Sequence, residues 1–201
     1  MKPVLLSVAT ASIALTNLPA LAQCPVEGIS SNSNRMSGGG TRGAPCSASS
    51  NEIYLPTPEQ GEGALKTAQA RPTFTWRLRE PAQAQMRFVI AQPGQADPIW
   101  EAHLPAQGQQ FVRYELPAEA PPLKAGQRYQ WGVEVECSEQ QRLRNPIATA
   151  YLKRVPAPQA VEAASTPRQK LDAYNQHGLA LDALGLLSAR ADWPEGLRAC
   201  F

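Results

Sequence analysis

The segment from Leu123 to Cys137 constrains the fold of this chain more than any other stretch. From Tyr129 onward every second residue is apolar, and these residues are Tyr129, Trp131, Val133, Val135 and Cys137. Because successive side chains of a strand point to opposite faces, this pattern predicts a strand with one buried face and one solvated face. The preceding Leu-x-x-Gly-x-x-Tyr is typical of a tyrosine corner, in which the tyrosine hydroxyl bonds to the turn before the strand. We therefore predict the central strand of an immunoglobulin-like sandwich.

Similar alternation recurs between residues 51 and 155, with Pro, Gly and Asn clusters between the apolar runs. The predicted strands lie at residues 53–55, 72–78, 85–91, 99–104, 109–116 and 147–155. About seven short strands with turns between them predict a mainly β, immunoglobulin- or fibronectin-III-like antiparallel sandwich. Trp76, Trp100 and Trp131 fall on the apolar sides and are predicted to form the core. Phe111 and Tyr151 are the candidates for exposed rings.

The first 22 residues have the features of a signal peptide: Lys2, an apolar run over residues 4–15, and Ala20-Leu21-Ala22 before Gln23. The apolar run is too short for a stable membrane span, so we expect an exported, periplasmic or extracellular protein. Cys24 leaves lipidation open as an alternative, although Gln23 stands where that signal requires a small residue. Residues 23–50, rich in Ser, Asn and Gly, are predicted to form a flexible arm.

All four cysteines, Cys24, Cys46, Cys137 and Cys200, follow the predicted cleavage site. An even number of cysteines in an oxidising compartment favours disulfides, for which three connectivities are possible. Cys46 and Cys137 both flank the sandwich, so we favour that pair, with Cys24 and Cys200 joining the two ends. No C-x-x-C or H-x-x-H spacing occurs, and we expect neither a metal nor a cofactor.

The C-terminal part changes from strand to helix periodicity. Residues 156–165 are predicted to be a Pro/Ala linker, and residues 166–201 a helical hairpin. Thr166-Pro167-Arg168-Gln169 is a capping box, Gly178 ends that helix, and a second helix covers about 179–190. A short third turn follows at 192–195. A hairpin of this size is not stable alone, so it must pack on the sandwich or on a partner.

Charge and motifs give little support for catalysis or nucleic-acid binding. The net charge is only +2, with 18% charged residues, so no nucleic-acid partner is expected. The loop at residues 38–43, which contains Arg42, lacks the lysine and the strand–helix setting of a phosphate-binding loop. His103 and His177 are predicted to be an edge-strand residue and a helix-end residue. Glu134 and Glu136 share the solvated side of the central strand.

Three stretches together resemble a cyanobacterial family, domain of unknown function number 928. They are residues 38–46, residues 71–76, and residues 121–131 followed by Cys137; the Thr166-Pro167-Arg168 cap and Asp182-Ala183-Leu184 resemble that family's tail. The resemblance covers about residues 38–187 and departs at Ala180-Leu181, where the family has aromatic residues. It implies a cyanobacterial origin and an exported sandwich with a helical tail. The family has no assigned activity, so the resemblance implies no catalytic residue.

Two hypotheses of different classes follow. The first is a non-catalytic envelope module that binds a protein or a glycan through its helical tail or a sheet face. The alternative is an envelope hydrolase that uses Glu134 and Glu136, since paired carboxylates can serve glycoside hydrolysis when they face a cleft. A small-ligand carrier is a third possibility. The sequence identifies neither a particular partner nor an oligomeric state.

Overall fold

A computed structural model describes residues 24–30, 53–59, 63–80, 84–105, 108–137, 145–190 and 192–201. The predicted signal peptide, the loop at 38–43 and Cys46 lie outside the described residues.

The described strands form two main sheets and one small one. The three-stranded sheet has the order β2-β5-β8, and the five-stranded sheet has the order β4-β10-β9-β6-β7. The strands are β1 (Ile29–Ser30), β2 (Ile53–Tyr54), β3 (Thr57–Pro58), β4 (Ala64–Thr67), β5 (Thr73–Leu78), β6 (Met86–Ala91), β7 (Trp100–Leu104), β8 (Phe111–Glu115), β9 (Arg128–Val135) and β10 (Ile147–Arg154). All pairs are antiparallel except β4 with β10, and β1 pairs with β3 outside the two main sheets. The chain is thus mainly β, as predicted.

The core lies between the two sheets and is built around aromatic rings. Phe74 of β5 stacks against Phe88 of β6 at 4.8 Å and against Trp131 of β9 at 4.9 Å. Trp76 lies 6.5 Å from Trp131, and all four of these side chains are fully buried. The predicted inward residues of β5, β6 and β9 are therefore confirmed. Such tilted ring pairs add to the free energy of burial.

Trp100 is a partial correction to the predicted core. It is only half buried, because β7 is an edge strand of the five-stranded sheet. Its indole Nε1 donates a hydrogen bond of 2.7 Å to the hydroxyl of Tyr114 on β8. A polar atom at the rim of the core thus finds a partner, as buried indoles usually require.

The tyrosine corner is confirmed at the start of β9. The Tyr129 hydroxyl accepts a hydrogen bond of 2.7 Å from the backbone N–H of Lys124, while the Tyr129 ring is buried. The turn between these residues contains Gly126 with φ of 81°, a conformation that glycine adopts without steric strain. The bond fixes the entry of the chain into the central strand.

The tail contains four short helices: α1 (Gln159–Ala163), α2 (Pro167–Gln176), α3 (Ala180–Leu187) and α4 (Trp193–Leu197), followed by a 3-10 turn at Arg198–Cys200. The capping box is confirmed, with both the Thr166 and the Gln169 hydrogen bonds present. Gly178 ends α2 with φ of 64°. The segment predicted as a Pro/Ala linker contains α1, which buries Val161, so it is not a simple connection.

Helix α3 packs against the sandwich across β5 and β4. Its residues Leu181, Ala183 and Leu184 are fully buried. At Gly185 the helix approaches β5 so closely that an added Cβ would lie 3.1 Å from the Thr73 Cβ. The tail therefore packs on the sandwich, one of the two possibilities that the sequence left open.

The first described residues, 24–30, belong to the predicted arm at 23–50, of which residues 31–50 lie outside the described part of the chain. Val26 and Ile29 are buried in the core cluster, and β1 pairs with β3. Cys24 is joined to Cys200 by a disulfide, with a Cα–Cα distance of 4.8 Å and a sequence separation of 176. The start of the predicted arm is thus packed against the end of the chain. In this arrangement the Cys24 sulfur that a lipid anchor would use is bonded to Cys200.

Candidate binding surface

The outer side of the three-stranded sheet is covered by the tail. Phe111, on β8, packs edge-on against Trp193 at 5.7 Å and against Phe201 at 6.1 Å. Thr75, which points away from the core rings of β5, is 0% exposed. Phe111 is therefore not an exposed ring, and the prediction for it was wrong. Alternation in β8 placed Phe111 on the outer side, but it could not indicate that the last residues of the chain cover that side.

The outer side of the five-stranded sheet, here called the open face, is the outward side of β4, β10, β9, β6 and β7. No helix in the described part of the chain makes extensive contact with β10, β9, β6 or β7. Ile147 and Tyr151, both outward residues of β10, are 42% and 38% exposed. They are the only exposed large hydrophobic side chains among the described residues. The prediction of an exposed ring at Tyr151 is confirmed.

One end of the open face carries an ion-pair network centred on Arg87 of β6. Its guanidinium binds both carboxylate oxygens of Glu101 at 2.8 Å and donates from Nη1 to Glu134 at 3.2 Å. The Asn145 side-chain amide also donates to Glu134, at 2.7 Å. The hydrogen bonds from Arg87 hold the pKa of Glu101 below its usual range, and those carboxylates raise the pKa of Arg87. This end is electrostatically satisfied.

The two predicted carboxylates of the hydrolase hypothesis have different partners. Glu134 is bound by Arg87 and Asn145, whereas Glu136 faces His103 Nδ1 at 3.2 Å. His103 lies on edge strand β7 and also contacts Glu101 at 3.4 Å, as expected for a solvated edge position. Glu134 is therefore held by an ion pair with Arg87, and Glu136 lies within hydrogen-bond distance of the His103 ring. A carboxylate that is fixed by a guanidinium is not poised as a general acid.

The other end of the open face carries three cations on three neighbouring strands. Lys153 of β10 is paired directly with Lys66 of β4 on one side and with Arg128 of β9 on the other. We call these three residues the cationic row. Sequence patterns do not predict this row, because residues 61–70 are compatible with either a loop or a short strand and because periodicity does not specify strand register.

Arg128 and Tyr151 form a cation–π pair beside the cationic row. The Arg128 guanidinium carbon lies 4.4 Å from the centroid of the Tyr151 ring. The contact is a cation–π interaction of the guanidinium, which carries five N–H groups. Within the described residues, no acceptor is hydrogen-bonded to those N–H groups.

A buried carboxyl lies where the tail meets the sandwich. Asp182 of α3, which is 5% exposed, accepts hydrogen bonds from the Thr67 hydroxyl and, at 2.7 Å, from the Ala68 backbone N–H. Burial raises the pKa of Asp182 to about 6, although these hydrogen bonds act in the opposite direction. The raised pKa of Tyr174 also arises chiefly from burial. Asp182 thus belongs to the attachment of the tail and not to the open face.

Other candidates give no further site in the described parts of the chain. A cavity of about 110 Å³ beside Trp193 and Leu197 is smaller than typical ligand pockets. No group of three or more His, Cys, Asp or Glu is arranged to hold a metal ion among the described residues. His177 is the exposed C-cap of α2. The helices that the structure describes include none long and apolar enough to cross a membrane.

The cysteine predictions have different outcomes. The disulfide between Cys24 and Cys200 is present in the structure. Cys137 is disulfide-bonded, but Cys46 lies outside the described residues, so the pairing of Cys46 with Cys137 stays a prediction. The Cys24–Cys200 bond closes the region where the tail covers the three-stranded sheet, on the side opposite to the open face.

These observations define a class of protein: a two-sheet β domain in which short C-terminal helices cover one sheet and no described helix covers the other. Comparison with protein families identifies the chain more closely. Residues 37–195 match the family described as Domain of Unknown Function (DUF928), and the chain belongs to that family. No curated protein matches the chain.

Proposed function

We propose that this protein is an exported, non-catalytic module that binds an envelope protein or glycan through the open face. The observation that carries the proposal is the contrast between the two outer sides. One is covered by the protein's own tail, whereas the other presents Ile147 and Tyr151 between two charged ends. Exposed apolar groups rimmed by polar residues are typical of interaction sites.

The burial of the tail supports the choice of a sheet face over the tail. The apolar residues of α3 are used on β5 and β4 and are not available to a partner. The export signal predicted over residues 1–22 and the disulfide between Cys24 and Cys200 both suit an oxidising compartment outside the cytoplasm. The module would therefore work in the periplasm or outside the cell.

We further assign the fold to the immunoglobulin- or fibronectin-III-like sandwiches, with a helical hairpin formed by α2 and α3. Three features support the assignment: the tyrosine corner at β9, the three- and five-stranded sheets around one core, and the parallel edge strand β4 beside β10. Such sandwiches present flat sheet faces and end loops to partners. The hydrolase hypothesis gains no support, since Glu134 is bound by the Arg87 guanidinium and Glu136 contacts the His103 ring.

The test is affinity capture with the mature oxidised chain from the envelope fraction of the source organism. Thr149, near the centre of the open face, is replaced by glutamate to place a bulky charge there. Gln176→Glu on the exposed side of α2 is the matched control. We expect the wild type and Gln176→Glu to retain the same protein or glycan, and Thr149→Glu to lose it.

Two results would refute the proposal. One is retention of the same component by a Thr149→Glu protein that keeps the wild-type circular dichroism. The other is no specific retention by the wild type. Release of soluble sugars or peptides from the fraction, abolished by Glu134→Gln together with Glu136→Gln, would instead favour the hydrolase.

A further inference from the structure

We propose that edge strand β7 pairs with β7 of a second copy of this chain, about a two-fold axis at Ala102, and forms a dimer. The two five-stranded sheets then join edge to edge into one continuous sheet. The dimer goes beyond the proposed function, because it uses the edge of the sheet and not the outward side chains at the centre of the open face.

Strand β7 ends the five-stranded sheet, and no segment in the described part of the chain pairs with its outer side. The side chains that β7 directs toward the core, those of Trp100, Ala102 and Leu104, are all partly exposed. The core residues of the neighbouring strand β6 are 0% exposed. An edge strand with outward N–H and C=O groups is a template for pairing with another chain. A paired strand would also cover the apolar groups left accessible at this edge.

The strand register shows which backbone groups of β7 face outward. The Glu136 N–H donates to the Gln85 carbonyl at 2.8 Å, and these two residues are opposite each other in the β6–β9 register. Hydrogen-bonded and non-hydrogen-bonded pairs alternate along an antiparallel ladder. Odd-numbered residues of β6 therefore bond to β9, and even-numbered residues bond to the even-numbered residues of β7. The N–H and C=O groups of Glu101 and His103 consequently point to the outer edge.

A two-fold pairing centred on Ala102 brings Glu101 of one copy opposite His103 of the other, and by symmetry the reverse pair forms as well. Both residues present their outward backbone groups in this register, so each pair exchanges both of its N–H···O bonds. On the core side, Trp100 of one copy faces Leu104 of the other. An aromatic ring opposite an aliphatic side chain is a favourable cross-strand pair.

Glu101 and His103 can make the new contact while they keep their partners within the chain. Glu101 is bound by Arg87, and the His103 ring lies 3.2 Å from Glu136. A carboxylate has about four acceptor sites, so Glu101 can accept a further hydrogen bond from the imidazole of the second copy. The His103 side chain is 54% exposed and therefore accessible to it.

Other registers of the same pairing are unfavourable. A shift by two residues brings Glu101 opposite Glu101 of the other copy, or His103 opposite His103, and like charges directly opposite each other destabilise a sheet. A shift by one residue turns outward backbone groups against inward ones. The sequence Trp-Glu-Ala-His-Leu thus pairs well with its own reverse only when the pairing is centred on Ala102.

The remaining edges of the two main sheets are less suited to pairing. Strand β4 carries Lys66, and a lysine on an edge strand opposes association. Strand β2 has only two residues. On β8 the inward Val112 is 2% exposed, so that edge leaves less apolar surface to cover than β7 does. Pairing of β7 with β7 occupies both β7 edges, so the dimer is closed and does not extend into a fibre.

The dimer would place both open faces on the same side of the joined sheet. Residues opposite each other in an antiparallel pair point to the same face, and Glu101 and His103 belong to the open face. Two copies therefore present one extended surface. A partner with repeated binding units could engage both open faces at once, which raises its overall affinity through effective concentration.

Sedimentation velocity of the mature oxidised protein tests the dimer. Two five-residue edges bury less than the about 1,200 Å² of a standard interface, so we expect a dissociation constant on the order of 10–100 µM. The mass should rise from that of a monomer to that of a dimer, and no further, as the protein concentration is raised through this range.

Proline variants separate the two candidate edges. His103→Pro removes one outward N–H per copy and leaves the bonds to β6 complete, so dimerisation should weaken at least about tenfold. His103→Ala keeps the N–H and should weaken it about threefold. Arg113→Pro is the matched control on β8. The Leu116 N–H donates to the Pro72 carbonyl, so the Arg113 N–H faces outward as well, and its loss should leave dimerisation unchanged.

A cysteine pair tests the register. In the proposed dimer the Ala102 residues of the two copies form a non-hydrogen-bonded pair with Cα atoms about 4.5 Å apart, within the range of a disulfide. Ala102→Cys should therefore give a covalent dimer on mild oxidation. The two His103 residues lie diagonally, farther apart than the about 7 Å that a disulfide can span, so His103→Cys should not.

Four outcomes would overturn the inference. They are a wild type that stays monomeric above the expected dissociation constant, a dimer that a folded His103→Pro protein retains, a dimer that Arg113→Pro abolishes, and cross-linking by His103→Cys but not by Ala102→Cys. If the wild type is monomeric and envelope capture is lost in His103→Pro, the edge pairs with a strand of a different protein. The effect of Thr149→Glu on capture is measured separately, so failure of the dimer leaves the proposed function standing.

Discussion

The outer sides of the two main sheets both include small polar residues, but the tail covers one side and the other side is exposed. On β5, the outward residues include Thr73 and Thr75; on the open face, the outward residue at the centre of β10 is Thr149. Thr75 is 0% exposed, because the tail lies over that side of the sandwich, while Tyr151 on the open face remains accessible. A polar position in an alternating strand is therefore not by itself evidence of contact with solvent.

The two surfaces differ in whether a helix can pack against them. Small Thr73 allows α3 to approach through Gly185, which has no side chain to separate the helix from the strand. The open face instead carries long charged groups at both ends, including Arg87 at one and Arg128 at the other. Burying those charges beneath a helix would require compensation for their lost hydration. The covered side thus contributes to stability, and the proposed binding role is assigned to the open face.

The strongest test of this comparison is Thr75→Glu on the covered side. Its carboxylate would be buried without a partner, and we expect a loss of at least about 4 kcal/mol, enough to unfold a domain of ordinary stability. Circular dichroism and urea denaturation measure it. Thr75→Val is the control: the Thr75 hydroxyl has no hydrogen-bond partner among the described residues, so removing it should change stability by at most about 1 kcal/mol. A folded, stable Thr75→Glu protein would mean that the tail does not cover β5.

The second test concerns Trp131, whose side chain lies between the two main sheets. Trp131 is 1% exposed and contacts Phe74, Trp76 and Phe88. Trp131→Ala should lower the free energy of unfolding by about 3–5 kcal/mol, because it removes a large buried side chain and leaves a cavity. Urea denaturation followed by circular dichroism gives the value. A loss below about 1 kcal/mol would contradict the assignment of inner and outer faces.

The third test is the pH dependence of the tail attachment at Asp182. The pKa of this buried carboxyl is raised from 3.8 to about 6 in the folded chain. Between these two values the folded chain binds more protons than the unfolded chain, so stability falls as pH rises through this window and stays lower above it. The change should be on the order of 2–3 kcal/mol.

Asp182→Asn isolates this contribution. An amide cannot ionise, but it can still accept from Ala68 N–H and donate to the Thr67 hydroxyl, so the variant should unfold with a flatter pH profile between about 4 and 6. Asp172→Asn, on the exposed side of α2 beside Arg168, is the control and should keep the wild-type profile. Identical pH profiles for the wild type and Asp182→Asn would rule out the effect.

The smallest expected effect is that of Thr149→Glu on stability. A carboxylate on the open face stays hydrated, so the free energy of unfolding should change by no more than about 0.5 kcal/mol. The same denaturation measurement applies, and Gln176→Glu gives the reference for an exposed site on the tail. A loss of unfolding free energy as large as that caused by Thr75→Glu would show that the open face is covered too. The contrast between the two sheet surfaces would then be wrong.

The sequence by itself determined the features that arise from local chemistry. Alternation gave the inward residues of β5, β6 and β9, and the Leu-x-x-Gly-x-x-Tyr pattern gave the bond from Lys124 to the Tyr129 hydroxyl. The Thr166 capping box and the helix end at Gly178 were also predicted, because both depend on residues within one turn of each other. The exposed ring of Tyr151 followed from the same alternation.

Only the tertiary structure decided which outer side is covered and which charges meet. Phe111 was predicted to be exposed, but it packs against Trp193 and Phe201, which are more than eighty positions away in the chain. The cationic row requires Lys66, Arg128 and Lys153 to be neighbours, which follows from strand order and register and not from spacing. Periodicity assigns a side chain to one face of its own strand. Whether that face is then covered depends on long-range packing. Here α3 is buried on one sheet, and the charged side chains of the open face stay hydrated.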